Sequence, residues 1–271
     1  MAQTTPIPSC SCYFEAQHEH HTHPAMRELE KCVLGCDFGG TSWTTKTQAD
    51  KIPAVLGLDA ETRMLEIGAG TGWPGIYMAT QSACDVTLLD IPVNTLKHAS
   101  QRAIDEQVEK RCRAIAASGT ALPFATSTFD TIGHSDVLCC LPDKLEMLQE
   151  CRRVIRDQGK MLFYVIAPAR GISGSDLDEA CEAGPPFVGV PDDYTELLKA
   201  SGWHLLEQTD LTEGYLQALL RLVDGLVTGA EELRPVLGAD EYSDQLNRRR
   251  AQINAIERGL LEREVFLVQA A

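Results

Sequence analysis

No apolar run in these 271 residues reaches the roughly 20 consecutive residues that a membrane-spanning helix needs. The opening MAQTTPIPSCSC lacks the basic start and apolar stretch of a secretory signal, so the expectation is a cytoplasmic protein with no membrane partner. Basic residues are also in short supply: 24 Lys and Arg stand against 39 Asp and Glu, a formal charge of -15. Nucleic-acid phosphates are met by clustered Lys and Arg, so this balance argues against a nucleic-acid partner. The one basic run, Arg248-Arg-Arg250, lies in a helical pattern flanked by acids and reads as a solvated face. A negative field suits a cationic or neutral small molecule instead. There is no internal repeat. The ten cysteines do not read as a disulfide framework, because several (Cys112, Cys139, Cys151) sit inside apolar segments of a chain too long to need staples.

What is present is an alternation of short apolar runs and helical patterns between about Thr62 and Tyr164. Strands are expected at Arg63–Ile67, Asp85–Leu89, Cys112–Ala116, Phe129–His134 and Lys160–Ile166. Helices are expected through Gln81, from Val93 to about Lys110, and from Asp143 to Ile155. Such a rhythm makes a parallel sheet with helices on both faces. A Gly- and acid-rich stretch (171–190) follows, then a helix over Asp192–Ser201 and a sixth strand over His204–Thr209. Residues 212–259 carry two or three helical patterns before a seventh strand at Arg263–Val268. The expected organisation is an N-terminal cap over 1–50, a sheet core over 51–210 and 260–271, and a helical insertion over 211–259.

The chemistry concentrates in Leu65-Glu-Ile-Gly-Ala-Gly-Thr-Gly-Trp-Pro-Gly75. A strand feeding a glycine turn and then a helix is a ligand site at the carboxyl edge of a sheet. Glycines admit positive φ and close backbone approach, and Pro74 suits the start of the following helix. From Gly70 the letters also fit the dinucleotide fingerprint, but the strand ends at Ile67, so that match is out of register. Glu66 at the strand end would repel a pyrophosphate, yet would orient the amino group of a zwitterion.

Glu66-x-Gly68-x-Gly70-x-Gly72 resembles motif I of the class I S-adenosylmethionine-dependent methyltransferases. Asp90, closing DVTLLDIP, stands where that family places an acid on the ribose hydroxyls, with Ile91 to pack on the adenine. Ala121-Leu-Pro-Phe-Ala-Thr-Ser-Thr-Phe-Asp130 and Cys151-Arg-Arg-Val-Ile-Arg-Asp-Gln-Gly-Lys160 resemble the family's segments before strands 4 and 5, and Arg263-Glu-Val-Phe its antiparallel last strand. The resemblance covers residues 60–170 well. It implies a Rossmann-like sheet of seven strands, six parallel and the last antiparallel. It also implies methylation of a small-molecule acceptor at O, N or S, with S-adenosylhomocysteine as product. Glu66, Gly68, Gly70, Gly72, Asp90, Ile91 and Ser135 would hold the donor, with Tyr13 closing over it. Where the family usually has an acid before the Leu of LPF stands Ser118, then Gly119, so a hydroxyl or the backbone would serve the adenine. The rival readings are a donor-binding regulatory module without chemistry, and an NAD-dependent oxidoreductase.

The acceptor should lie over the end of strand 4, at Gly133-His-Ser-Asp-Val-Leu-Cys-Cys-Leu141. His134 is a candidate general base or a histidine satisfied near the sheet edge, and Asp136 a candidate acceptor contact. No N-P-P-Y or D-P-P-Y tetrapeptide of the nucleic-acid amino-methylating enzymes occurs here. Cys139-Cys140 would grip a metalloid or thiol, or simply face the core. The run from Cys10 to His23 offers soft and imidazole ligands in no usual zinc spacing, so it reads as a leader ordering over the donor and no metal is expected. Gly39-Gly-Thr-Ser-Trp-Thr-Thr45 is a candidate lid, hinge or capping loop. Leu216, Leu219, Leu220 and Val223 make a helical stripe, with Tyr215 and Tyr242 as candidate pocket walls.

Overall fold

The computed structural model describes Gln17, residues 20–189 and residues 193–271. Its frame is one seven-stranded sheet: β1 (Arg63–Ile67), β2 (Asp85–Asp90), β3 (Cys112–Ala116), β4 (Phe129–Ser135), β5 (Ile155–Pro168), β6 (Trp203–Asp210) and β7 (Leu261–Ala270). The spatial order is β3-β2-β1-β4-β5-β7-β6, with β7 antiparallel to both of its neighbours and all other pairs parallel. The central strands β1, β4 and β5 are buried on both faces, as a sheet covered by helices on each side requires. The edge strands β3 and β6 carry the exposed residues.

Alternation along β1 and β4 splits the interior in two. Leu65, Ile67, Ile132 and Phe163 face a core closed by α6 (Lys144–Val154), α7 (Ser175–Ala183) and α8 (Tyr194–Ala200). Met64, Val86, Leu88 and Leu162 face another, closed by α1 (Pro24–Leu34), α3 (Ile52–Leu56), α4 (Gly75–Ser82) and α5 (Val93–Asp105). The helices start and stop for local reasons. Helix α1 begins at Pro24, capped by His23, and ends at Gly35 with φ 79°. The one-turn α2 (Lys46–Ala49) carries a capping box between Thr45 and Gln48. Helix α5 buries Thr95, Leu96, Ala99 and Ala103, a three-to-four-residue spacing that gives one apolar face.

The sheet strands fall where the sequence places them, within one residue for β1 to β4. Three differences stand out. Helix α5 ends at Asp105 rather than near Lys110, because Gln107 takes φ 61° and the Val108 N–H turns back to the Ala103 carbonyl. Strand β5 starts directly after α6, at Ile155. The acid-rich stretch after β5 contains α7, whose first turn holds Asp176 and Asp178 at the end of the helix that favours negative charge. Between β6 and β7 run α9 (Thr212–Thr228), α10 (Ala230–Leu237) and α11 (Ala239–Glu257). The inward face of α9 is Tyr215, Ala218, Leu219 and Leu226, rotated from the expected leucine stripe: Leu220 lies outside. No helix among the described residues is long and apolar enough to cross a membrane.

Candidate functional site

The glycine loop joins β1 to α4 at the carboxyl edge of the sheet. Gly68, Gly70 and Gly72 all have positive φ (67°, 52° and 100°). A Cβ on Gly68 would stand 2.4 Å from Val137 Cγ2, and one on Gly72 only 2.3 Å from Ile76 Cδ1. Only glycine fits either place, so the turn exposes backbone instead of side chains. At the end of β2 the Asp90 carboxylate accepts the Gly70 N–H (2.7 Å) and the Ile91 N–H (2.7 Å). Burial raises its pKa, and those two donors oppose the rise. Beside it Ile91 is 55% exposed, an apolar surface left open next to an acid.

Glu66 lies elsewhere than expected. It is buried beneath the turn, aimed inward: its Oε2 is 3.1 Å from where a Gly75 Cβ would be and 3.6 Å from that of Gly133. That oxygen has no hydrogen-bond partner, and burial pushes the carboxyl up to about 8. It borders a small cavity with Pro74, Ser135 and Tyr164. Glu66 therefore lies beneath the turn, on the wall of this cavity. Ser118 and Gly119 sit past β3, where the Ser118 hydroxyl is bonded to that of Thr120 (2.8 Å) and accepts the Thr120 N–H (3.2 Å).

The residues past β4 depart further from expectation. His134 is 1% exposed, stacked on Phe163 with ring centroids 4.9 Å apart, and neither ring nitrogen has a partner. Burial lowers its pKa to about 3. An imidazole this deep is a poor general base, because it would have to be charged inside an apolar core. Asp136, at φ 57°, is gripped by Arg263 of β7: Nε to Oδ1 is 3.0 Å and Nη2 to Oδ2 is 2.9 Å. Its carboxylate also accepts the Trp43 N–H at 3.4 Å. Ser135 accepts the Thr44 hydroxyl (3.0 Å), which ties the end of β4 to the N-terminal segment. Cys139 is fully buried and its thiol points to the Asp136 carbonyl, so it belongs to the core. Tyr242 donates to the Leu226 carbonyl inside the helical insertion, whereas the buried Tyr215 hydroxyl has no partner and its ring packs on Trp43.

Residues 36–45 cross the glycine loop. Trp73 donates its indole N–H to the Thr44 carbonyl (2.8 Å), and its ring packs on Phe38, centroids 4.9 Å apart. Arg102 of α5 covers the other side of Phe38 and binds the Asp37 carbonyl. Tyr13, Cys10 and Cys12 lie outside the described residues. Among the described residues no three His, Cys, Asp or Glu side chains gather as metal ligands, and the cysteines are free thiols. Sequence reasoning missed Arg263, Glu30 and Val137. An arginine inside the apolar strand Leu261–Ala270 is the one signal that pointed to any of them.

Residues 65–163 match the family described as a methyltransferase domain. The 27-O-demethylrifamycin SV methyltransferase of Amycolatopsis mediterranei is 28% identical over 162 residues, 58% of this chain and 60% of that protein. This chain thus spans less than two thirds of the length of such relatives. Among solved structures, Haemonchus contortus phosphoethanolamine N-methyltransferase 2, with phosphomonomethylethanolamine and S-adenosylhomocysteine, superposes with a TM-score of 0.79 at 17% identity. That match covers 97% of this chain and 60% of the other. The [4+2]-cyclase SpnF has a TM-score of 0.73 at 16% identity, over 94% of each chain. These likenesses show the fold, which proteins of differing chemistry share.

Proposed function

We propose that the chain transfers a methyl group from S-adenosylmethionine to a small-molecule acceptor. The observation that carries this reading is the join of Asp90 to Gly70. It fixes a carboxylate with unused lone pairs between a side-chain-free turn and the exposed Ile91. These groups fit a nucleoside: hydroxyls for the acid, an apolar base for Ile91, and a chain end for the backbone of Gly68–Gly72. The backbone at Ser118–Gly119 would meet the base edge. The donor supplies an activated methyl, so the protein need only align the acceptor, exclude water and give up little charge stabilisation.

The chain's own residues are arranged for that. Helices α9 to α11 and the segment over the glycine loop would cover the acceptor. Asp136 acts through Arg263 to hold Trp43 and Thr44 of that segment in place, so it is a positioning residue rather than a base. His134 is buried in the core and Asp136 is held by Arg263, which favours an acceptor that needs no strong base.

Titration calorimetry tests the donor assignment. S-adenosylhomocysteine should bind, and NAD should not; NAD binding without it sinks the proposal. Incubation with labelled donor and a cell extract then tests transfer. Donor binding with no label passed to any acceptor would favour the regulatory module.

A further inference from the structure

Glu30 is a buried acid on α1, with 5% of its surface exposed. Its two oxygens are spent on one place: Oε2 accepts the Gly39 N–H at 2.6 Å and Oε1 the Gly40 N–H at 3.2 Å. Gly39 is sterically required, whereas a Cβ at Gly40 would make only ordinary contacts. At Gly39, φ is 71° and a Cβ would stand 3.0 Å from the His21 carbonyl oxygen. A Cβ on Gly40 would meet Thr71 Oγ1 at 3.6 Å, Trp73 Cβ at 3.8 Å and Glu30 Oε1 at 3.8 Å. Thr71 belongs to the glycine loop, and its buried hydroxyl has no partner. The acid, the turn of the overlying segment and the loop therefore meet at a single point.

We propose that Glu30 is a positioning residue for methyl transfer: its carboxylate clamps the Gly39–Gly40 turn onto the glycine loop and so encloses the donor. This rests on the donor reading above. This clamp changes with pH. The groups facing Glu30 are Cys36 and Asp37 of the overlying segment, Arg102 of α5, Thr71 of the loop and the neighbouring His21. Burial pushes the carboxyl up to about 7; the Gly39 and Gly40 N–H groups and Arg102 oppose the rise, and Asp37 adds to it. Ionised Glu30 accepts both N–H groups. Once protonated it turns one oxygen into a donor and loses half of the clamp. Enclosure is therefore full above a pH of about 7 and loosens below it.

The test is calorimetric titration of the full chain with S-adenosylhomocysteine between about pH 5.5 and about pH 8.5, for the wild type and Glu30→Gln. Wild-type affinity should fall about tenfold toward acid, the size of one lost hydrogen bond to a charged group. Glu30→Gln keeps one acceptor and cannot titrate, so its profile should be flat at the wild type's acid-limb affinity. Any contribution from Asp90 appears equally in both proteins and cancels in the comparison. A flat wild-type profile, or a Glu30→Gln profile that still follows the wild type's, overturns the clamp. Amide exchange at Gly39 and Gly40, corrected for intrinsic rates, gives a donor-free readout: protection should drop in Glu30→Gln, and unchanged protection counts against the proposal. If the wild type binds no S-adenosylhomocysteine at any pH, the donor reading fails, and exchange alone then judges the clamp.

Discussion

Arg263 and Asp136, 127 residues apart in sequence, form a two-pronged ion pair that is almost entirely out of water. Arg263 also reaches Thr44 Oγ1 at 3.3 Å, so the pair ties the last strand, the loop after β4 and the segment over the glycine turn into one unit. Breaking one side of a buried pair leaves an uncompensated charge and costs about 3–5 kcal/mol. Arg263→Met should lower stability by that amount in urea unfolding, and the double change with Asp136→Asn should recover most of it. A double variant no more stable than Arg263→Met would show that the pair's charges are not what matters.

Asp90 tests the donor cradle directly. Asp90→Ala removes both the acceptor of the Gly70 N–H and the proposed partner of the ribose hydroxyls. The dissociation constant for S-adenosylhomocysteine should rise by about 1–3 kcal/mol in free-energy terms. An unchanged value would remove Asp90 from the site.

Glu66 should cost stability at neutral pH. Its folded pKa of about 8 lies above the ordinary carboxyl value of 4.5, so the native chain keeps a proton that the unfolded chain has lost in between. Stability due to this group therefore falls as pH rises from about 4.5 to about 8. Glu66→Gln should raise the melting temperature by a few degrees at pH 8 and leave it nearly unchanged at pH 4.5. Calorimetric scans at the two pH values check this, and equal shifts at both would contradict the assignment.

His134 separates packing from catalysis. Because neither ring nitrogen has a partner, His134→Phe removes two unsatisfied polar atoms and keeps the stack on Phe163. Stability should hold or rise by up to about 1 kcal/mol. The transfer rate should show no inflection between pH 6 and 7 from this residue, since it titrates near 3. An inflection there that vanishes in His134→Phe would restore the histidine as a base.

Much of the frame is legible in the chain because it is encoded locally. Arg63–Ile67 ends in an acid followed by alternate glycines, and Asp90 follows an apolar run, so the loop and its acid can be read by eye. Helix α7 escaped because Asp and Glu fill its solvent face and its one buried residue, Ala180, is small. The end of α5 escaped because the pattern of apolar residues runs past Asp105, while the backbone turn at Gln107 is carried by a residue with no strong preference for positive φ.

Short-range chemistry determined the strand sequence, the glycine turn, the acid that closes β2 and the family these resemble, since period and turn type act over a few residues. Tertiary structure alone decided which way Glu66 and His134 point, that Asp136 is spent on Arg263, and that Glu30 reaches the turn above the donor loop. Those outcomes depend on contacts between distant segments and on how far each group is removed from water, and neither quantity is written into the neighbouring residues.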